Sequence, residues 1–411
     1  MTRETVKGFN DYTGEDALKR AEIRRVLVDN FERYGFEPAE TPVIEYEDFV
    51  TGRDEKSKSD RSSNQGEEDE AISDVFKLKD KGNRNLALRY EFTFQLKRLM
   101  NNKKLPYKRY QLGPVFRDEP VSANRVRQIT QCDVDIIGGG LKEDAEILAL
   151  SAEILGQLGI KNRILVNNRK LMNEILEAEG VAEENKTQVL REIDKYDKLP
   201  ESELRENLKK LGAENIIDNI KKGEDFFKQF PSYKEILDLA KYCSYYGIKV
   251  EFSPTIVRGL SYYNGTVFEI KGAGIKETII AGGSYNFNNT QCVGISFGLE
   301  RLSAIASVDY GKQKTLVVSL KEDKQAIKIA QKLRTGGAAS SVYFGKPSKA
   351  LDYANSYGFD QVIFVGAEEI KQKKFKVKDM DTGKEKYLTM NKINKRNLLF
   401  QRKNSSGKTK K

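Results

Sequence analysis

Apolar positions along the first half of the chain recur with either helical or strand spacing. Residues 15–35 carry apolar residues three and four positions apart and stop at a glycine, which predicts a helix. Residues 36–50 resemble a proline-interrupted strand, and residues 72–93 a hairpin that turns at Lys81, Gly82 and Asn83. The pattern then predicts a short helix at 94–102, strands at 107–119 and 125–138, and a helix at 143–158.

The second half of the chain changes character twice. Residues 168–246 are long, charged stretches with helical spacing, which predict a helical insertion. Strand patterns return between residues 247 and 310, and strands and helices alternate over 311–399, which predicts a separate small α/β domain. Residues 54–70 have almost nothing to bury and predict a solvated loop, and residues 400–411 form a basic tail.

Length and charge set the first limits on function. The chain has 411 residues, enough for two or three domains with a sizeable core. Its formal net charge of +10 favours a polyanionic partner such as nucleic acid. A lysine-rich surface that only keeps the protein soluble explains the same charge, so charge alone leaves both explanations open.

Cysteine usage and hydropathy indicate the compartment. Cys132, Cys243 and Cys292 lie far apart and fit neither a CxxC metal motif nor an even disulfide framework. No apolar run approaches membrane-spanning length, and the N-terminus has no apolar signal core. These features predict a protein of the reducing cytoplasm, with no membrane partner.

The chain contains no histidine. This composition excludes Ser-His-Asp and Cys-His catalysis, HExxH zinc sites and any imidazole general base. The remaining chemistry depends on carboxylates, on lysine or tyrosine, or on electrostatic stabilisation. Phosphoryl and nucleotidyl transfer is the leading example, because the protein then mainly positions positive charge around phosphate.

Four segments of the first 310 residues carry arginines beside apolar or glycine-rich strand sequence: LALRYEFT, GPVFRDEPVSANRVRQITQCDVD, RGLSYY and GISFGLERL. Strand alternation predicts one shared face for six residues of the second segment, namely Arg125, Arg127, Ile129, Gln131, Asp133 and Asp135. Such a polar stripe cannot be buried without partners. A solvated sheet face with salt bridges would explain any one segment, whereas four together favour a phosphate-binding cleft.

These motifs resemble the histidyl-tRNA synthetases, a family of class II aminoacyl-tRNA synthetases. The segment YGFEPAETPVIE is similar to motif 1, with its proline at Pro42, and GISFGLERL is similar to motif 3. The segment from YQLGPVFRDE to QCDVDIIG resembles motif 2 in its archaeal and eukaryotic form. The segment RGLSYYNGTVFE resembles the one that separates this family from other class II synthetases, and VKDMDTGKEKYL resembles its anticodon-binding domain.

The resemblance implies an α+β fold with an antiparallel class II catalytic core. Residues 1–167 and 247–310 would form that core, 168–246 the helical insertion, and 311–399 an α/β anticodon-binding domain. The implied activity is ATP-dependent ligation of L-histidine to tRNA(His) through a histidyl-adenylate. ATP and Mg²⁺ would be required, the enzyme would be a cytoplasmic homodimer, and no protein metal site is expected.

The resemblance also implies individual roles. Arg117 and Arg258 would act in catalysis by holding the α-phosphate from two sides, Arg125 would bind the outer phosphates, and Arg301 would stack on adenine. The implied ATP-binding set is Arg117, Glu119, Arg125, Arg127, Arg258 and Arg301. The implied histidine-binding set is Glu91, Thr93 and Gln131 at the amino and carboxylate end, Asp135 and Tyr263 at the imidazole nitrogens, and Tyr262 in the pocket wall.

The implied tRNA contacts lie elsewhere in the chain. The helical insertion would contact the acceptor arm of tRNA. In the C-terminal domain, a predicted strand-to-helix junction is a usual place for ligand contacts in α/β layers. The candidates at this junction are Lys346, Lys349, Tyr353 and Asn355, and a solvated helix face is the alternative for each.

The sequence departs from the family pattern at four positions. Ser261 stands where aspartate is usual, Ser284 and Asn286 replace an expected arginine and aspartate, and Ile129 replaces an aromatic residue that stacks on adenine. A non-catalytic regulator or tRNA-binding paralogue on the same fold is therefore the main alternative. A class II synthetase for another amino acid is disfavoured by RGLSYY and Asp135.

Overall fold

A computed structural model describes residues 3–51, 74–122, 125–258, 262–272, 278–287, 289–310 and 313–389, with the side chain of Lys97 left out. The predicted loop at 54–70, the basic tail and Ser261 lie outside the described residues. The chain divides into two compact units, residues 1–309 and 310–411. No helix among the described residues is long and apolar enough to cross a membrane.

The helices of the first unit begin with the predicted N-terminal one. The helix α1 spans Gly14–Arg33, with acidic Glu15 and Asp16 in its first turn and Arg33 in its last, as the helix dipole favours. The others are α2 (Glu47–Val50), α3 (Leu96–Leu99), α4 (Leu141–Gln157), α5 (Arg169–Ala178), α6 (Glu183–Ile193), α7 (Glu201–Lys210), α8 (Ile216–Ile220), α9 (Glu224–Phe227), α10 (Tyr233–Tyr245) and α11 (Leu299–Ile305).

Eleven strands of the described residues belong to this unit. They are β1 (Glu37–Pro38), β2 (Ile44–Tyr46), β3 (Lys77–Lys79), β4 (Asn85–Leu88), β5 (Tyr107–Phe116), β6 (Gln128–Ile137), β7 (Asn162–Asn168), β8 (Val250–Phe252), β9 (Tyr263–Gly272), β10 (Thr278–Phe287) and β11 (Thr290–Gly298). Eight of them form one sheet in the order β1-β5-β6-β11-β10-β9-β7-β8. The central pairs are antiparallel, and only β1–β5 and β7–β8 are parallel.

One face of this sheet is apolar. Strand alternation places Val134 and Ile136 of β6 and Phe268 of β9 on it, all fully buried. The helix α1 packs here through Ile23, Leu27 and Phe31, and α4 adds its own apolar residues. Helices α5–α10 contribute to the same hydrophobic core, so the predicted helical insertion is helical and packs within the first unit.

The segment 36–50 differs from its predicted single strand. It forms two short strands in different sheets, because β1 pairs with β5 whereas β2 pairs with β4 in the small sheet β2-β4-β3. Residues 47–50 form the helix α2, which the strand-like composition did not predict. The predicted hairpin of β3 and β4 is confirmed, with Asn83 at φ 62° in the turn.

The second unit contains the predicted alternation of strands and helices. Its strands are β12 (Lys314–Ser319), β13 (Ala339–Phe344), β14 (Gln361–Val365), β15 (Lys374–Asp379) and β16 (Glu385–Thr389), and its helices are α12 (Asp323–Thr335), α13 (Pro347–Ser356) and α14 (Ala367–Gln372). The sheet order is β13-β12-β14-β15-β16, parallel up to β14 and antiparallel beyond it. Apolar clusters lie on both sides of this sheet.

Candidate active site

The second face of the eight-stranded sheet is polar at its centre. Gln131, Asp133 and Asp135 lie on β6, opposite Gly113, Gln111 and Arg109 of β5 in the antiparallel register. All three β6 side chains are at most 9% exposed. This confirms the predicted shared face for these residues and for Ile129, but β6 begins only at Gln128, so Arg125 and Arg127 precede the strand.

Asp135 is held by two protein groups. The Arg109 Nη2 atom forms an ion pair with its Oδ2 atom at 2.7 Å. The Tyr285 hydroxyl on β10 donates a hydrogen bond to its Oδ1 atom at 2.6 Å. Gly294 of β11 makes room for this carboxylate, because a Cβ atom there would lie 2.4 Å from Asp135 Oδ1.

Asp133 and Glu91 share the region beside Asp135. Gln131 Nε2 donates to Asp133 Oδ2 at 3.2 Å and to Ser296 Oγ at 2.8 Å. Burial raises the pKa of Asp133 to about 7, although the charge of Arg109 opposes the shift. Burial and the nearby Asp133 carboxylate likewise raise the pKa of Glu91 to about 7, while Arg117 and a hydrogen bond from Thr93 act in the opposite direction.

Arg117 follows directly after β5 and lies beside this acidic group. Its guanidinium carbon lies 4.6 Å from the centre of the Tyr90 ring, and its positive charge acts on Glu91. Its backbone N–H donates to the carbonyl of Arg127 at 2.9 Å, which closes the connection between β5 and β6. The segment LALRYEFT therefore comes next to motif 2 in space, as the cleft hypothesis requires.

Arg258 precedes β9 in the chain and pairs with a side chain of that strand. Its backbone has φ 54°, an uncommon value for a residue with a side chain. Its Nη1 atom forms an ion pair with Glu269 at 3.2 Å, and its charge acts on Tyr262 and Tyr263. Because Tyr262 also lies within electrostatic reach of Glu91, it links the surroundings of Arg258 to those of Arg117.

Three tyrosines form the wall between these groups. The Tyr262 and Tyr263 rings are 4.6 Å apart, and the Tyr262 and Tyr285 rings are 5.8 Å apart in an edge contact. Tyr263 is buried, whereas Tyr262 is 37% exposed. Gly283 leaves space for this wall, since a Cβ atom there would lie 2.9 Å from the Tyr263 ring.

The outer arginines have separate partners. Arg125 pairs with Glu119 at 3.3 Å, and Arg127 pairs with Asp118 at 3.2 Å, in the connection between β5 and β6. Arg301 on α11 is exposed and donates to the Thr278 carbonyl at 2.7 Å. The described contacts do not join Arg125 or Arg301 to the Arg117 and Asp135 group.

Several buried polar atoms of the sheet face have no hydrogen-bond partner among the described residues. They are Arg109 Nε and Nη1, Gln111 Oε1, Gln131 Oε1, Asp133 Oδ1, Asp135 Oδ2, Arg117 Nε and Arg258 Nε. Native proteins rarely leave such groups unsatisfied. Their concentration on one face fits a polar ligand that carries both donors and acceptors.

Comparisons with known proteins identify the family of this chain. A family described as Histidyl-tRNA synthetase matches residues 8–302, and one described as Anticodon binding domain matches residues 314–396. The chain belongs to the histidyl-tRNA synthetase family. The histidine–tRNA ligase 2 of Shouchella clausii is 32% identical over 94% of this chain and 98% of its own length. The histidine–tRNA ligase of Wolinella succinogenes is 33% identical over 94% and 96%.

Solved structures show the same fold. A histidyl-tRNA synthetase from a Nostoc species superposes with a TM-score of 0.80 at 23% identity, over 96% of this chain and 99% of that one. A structure from Bacillus halodurans, titled ATP phosphoribosyltransferase regulatory subunit/histidyl-tRNA synthetase, gives 0.72 at 21% identity, over 88% and 98%. These likenesses confirm the predicted α+β fold, and the family match over residues 314–396 assigns the C-terminal domain to the anticodon-binding type.

The departures from the synthetase family pattern have different surroundings. Ser284 is buried on the helix-covered side, where its hydroxyl donates to the Asp144 carboxylate at 2.8 and 2.9 Å. Asn286 is exposed near the end of β10. Ile129 is partly buried opposite Val115 in the register of β5 and β6. Ser284 therefore does not line the polar face.

Sequence reasoning missed two residues of this candidate site, Arg109 and Tyr285. Arg109 has the same parity on β5 as Arg117, so strand alternation along YKRYQLGPVFR could have assigned it to the site face. Tyr285 stands two residues after Gly283 in AGGSYN, a segment in which the glycines are the stronger sequence signal. Their contacts with Asp135 depend on strand pairing that a single sequence does not reveal.

Proposed function

We propose that the chain ligates L-histidine to tRNA(His) in two steps, with a histidyl-adenylate as the intermediate. Family membership and the 32% identity to histidine–tRNA ligases over nearly the whole chain support this assignment. The observation that carries the residue-level proposal is the row of buried, unpartnered polar atoms along Arg117, Asp133 and Arg109. An amino acid and a phosphate together would supply the missing acceptors and donors.

Arg117 and Arg258 are the proposed catalytic residues. The histidine carboxylate attacks the α-phosphorus of ATP and pyrophosphate leaves, so negative charge increases on the phosphorus oxygens. Two guanidiniums on opposite sides stabilise that charge more in the transition state than in the ground state. The proposal is supported by the position of both arginines beside the Glu91 and Tyr262 group, each with an Nε atom that has no partner among the described residues.

The amino acid would lie along the polar face. Glu91, Thr93 and Gln131 would hold its ammonium and carboxylate end, and Asp135 and Tyr263 would meet the two nitrogens of the ring, with Tyr262 as the wall. An imidazole ring offers one N–H and one lone pair, which a carboxylate and a phenol match. An amino acid that lacks those nitrogens would leave buried groups unpaired, and such sites reject analogues by about 10⁴–10⁵.

ATP would enter as its magnesium complex. Mg²⁺ in such sites is bound largely by substrate phosphates and water. We assign the ion to the nucleotide phosphates rather than to a protein site. Glu119, Arg125 and Arg127 would contact the outer phosphates, and Arg301 the adenine.

The second unit would bind the anticodon. Lys346, Lys349, Tyr353 and Asn355 are all exposed, the two lysines near the start of α13 and the other two in its second half. The Tyr353 ring also contacts the Tyr357 ring at a tilt, with 4.6 Å between ring centres, and exposed aromatic faces bind unstacked bases. The helical segment α5–α10 would contact the acceptor arm.

The active enzyme would be a cytoplasmic homodimer that pairs through the region of motif 1. The small sheet there exposes apolar side chains, including Ile44 at 50% and Tyr46 at 58%. Three buried, free cysteines suit a reducing compartment. Sedimentation velocity at micromolar concentration tests the dimer, and a monomer of unchanged activity would contradict it.

ATP–pyrophosphate exchange with each amino acid in turn tests the proposed activity. Exchange should occur only with histidine, because only its ring satisfies both Asp135 and Tyr263. Transfer to tRNA is then checked with a tRNA(His) transcript and a second tRNA as the control. Exchange with no amino acid would favour the regulatory or tRNA-binding alternative, and exchange with a different amino acid would favour another class II synthetase.

A further inference from the structure

Arg109 is a fully buried arginine at the centre of the candidate site. It is 0% exposed and lies directly across from Asp135 in the β5–β6 register. Its Nη2 atom contacts Asp135 Oδ2 at 2.7 Å and donates to the Phe92 carbonyl at 3.2 Å. Burial of a guanidinium is costly unless it is paired, and replacement of buried ion pairs by apolar residues is often neutral or stabilising. Fold stability alone therefore does not account for Arg109.

The partners of Asp135 leave it no free negative charge. Its Oδ1 atom accepts a hydrogen bond from the Tyr285 hydroxyl, and its Oδ2 atom forms an ion pair with Arg109 at 2.7 Å but has no hydrogen-bond donor among the described residues. Arginine remains charged in proteins, so Asp135 acts as an acceptor whose charge Arg109 balances. The titratable and charged groups that act on this pair are Arg109 on β5, Tyr285 on β10, Cys292 on β11, Asp133 on β6 itself and Glu91 from the segment after β4.

We propose that Arg109 is a positioning residue that neutralises Asp135, and that the pocket therefore takes the histidine side chain as the uncharged imidazole ring. This inference rests on the proposed function. A carboxylate without a counterion would attract the imidazolium form, whereas here a ring cation would approach a guanidinium in a poorly solvated site. The neutral ring can still donate one N–H to Asp135 and accept from the Tyr263 hydroxyl.

Glu91 and Asp133 act against this preference for the neutral ring. Both carboxylates would favour a nearby cation, and both have pKa values raised to about 7 in the free protein. In the proposed arrangement, Glu91 faces the α-ammonium group, which supplies that cation. The measurement must therefore separate titration of the ring from titration of these carboxylates.

A comparison of histidine with 3-(1,2,4-triazol-3-yl)alanine makes this separation. The triazole ring keeps an N–H and a lone pair but stays uncharged in mild acid. The quantity to measure is the ratio of kcat/KM for histidine to that for the analogue in ATP–pyrophosphate exchange. The pH range should run from about 5.5 to about 8.5, on both sides of the ordinary imidazole pKa of about 6.5. Titration of Glu91 and Asp133 affects both substrates and cancels in the ratio.

The ratio should be constant above the pKa of the imidazole ring and fall about tenfold per pH unit below it, because the pocket refuses the imidazolium. A ratio that stays level or rises in acid would overturn the inference while leaving the proposed function intact. Failure of both substrates to support exchange at any pH would instead count against the proposed function and, with it, the inference.

Variants of Arg109 test its part in this selection. Arg109→Lys keeps a positive charge and should keep the fall of the ratio in acid. Arg109→Met removes the charge at similar length, so the ratio should become level or rise in acid. Arg89→Met is the matched control, because Arg89 is also buried but donates to the carbonyls of Pro114 and Thr41, at 2.7 and 2.8 Å. This control should keep the wild-type fall of the ratio.

An Arg109→Met variant that folds and keeps the wild-type fall would show that Arg109 has only a structural role. If that variant does not fold, nitrogen-15 NMR of ring-labelled histidine on the wild-type protein still decides the charge of the bound ring. The chain has no histidine, so unlabelled protein imidazoles do not exchange protons with the label or perturb its titration. Neutral-ring shifts are expected at a pH where the free amino acid is cationic, and imidazolium shifts would refute the inference.

Discussion

The eight-stranded sheet has one apolar face and one polar face, and the same strands supply both. On β6, Val134 and Ile136 pack into the main core while Asp133 and Asp135 face the candidate site. On β9, Phe268 packs with the helices while Tyr263 lies in the tyrosine wall. Adjacent residues of one strand therefore serve stability and chemistry separately, and substitutions on the two faces should give different phenotypes.

The largest effect is expected on the apolar face. Phe268→Ala should lower the free energy of unfolding by about 3–5 kcal/mol, because it leaves a cavity in a fully buried position. Urea denaturation followed by circular dichroism measures the loss. The kcat of the protein that remains folded should change little. At 10 °C, kcat of this variant should not fall by more than its folded fraction does. A larger fall in kcat would show that the apolar face also affects catalysis.

On the polar face, Arg117→Ala should lower kcat for pyrophosphate exchange by about 10²–10³, since it removes one preorganised donor to the α-phosphate. The melting temperature should stay close to that of the wild type, because Arg117 is only partly buried. Arg163→Ala is the control: Arg163 is a largely exposed arginine on β7 that pairs with Glu251 at 2.5 Å. Equal losses of kcat in Arg117→Ala and Arg163→Ala would mean that the effect does not depend on location on the polar face.

A pH-dependent effect on stability follows from the buried carboxylate of Asp133. Its pKa is raised from 3.8 to about 7, so folding favours the protonated form, and this contribution is present below pH 4 and disappears as pH rises through 7. Between pH 4 and pH 7, ionisation of Asp133 lowers the free energy of unfolding by about 1.4 kcal/mol for each unit of rising pH. Asp133→Asn should therefore flatten the pH dependence of urea unfolding between about pH 4 and about pH 7. A wild-type slope in this variant would rule out Asp133 as the source.

The sequence predicted most elements because their patterns are local. The spacing in α1 and the alternation in β6 depend only on neighbouring residues, and both were confirmed. Residues 47–50 were wrongly predicted as strand, because a four-residue apolar-acidic stretch suits either structure and the tertiary surroundings decide it. The chain divides into two compact units after residue 309, while the domain boundary at residue 311 stays a prediction.

The site was predictable only for residues that sequence motifs or side-chain alternation along a strand identify. Asp133 and Asp135 could be assigned to one face, but Arg109 becomes the partner of Asp135 through the pairing of β5 with β6, and Tyr285 through the pairing of β10 with β11 and of β11 with β6. These registers bring together residues as far as 150 positions apart. The roles of all these site residues, including the outer residues Arg125 and Arg301, remain predictions.

The hydrogen bonds between Ser284 and Asp144 join β10 to α4 and limit the size of the side chain that position 284 can hold. Asp144 lies on α4 and is 2% exposed, so the strand and the helix meet there without spare room. A longer side chain at position 284 would have to displace α4 or leave this contact. The short hydroxyl of Ser284 thus joins β10 to α4 from the face of the sheet opposite the candidate site, so the strand that carries Tyr285 is anchored from behind.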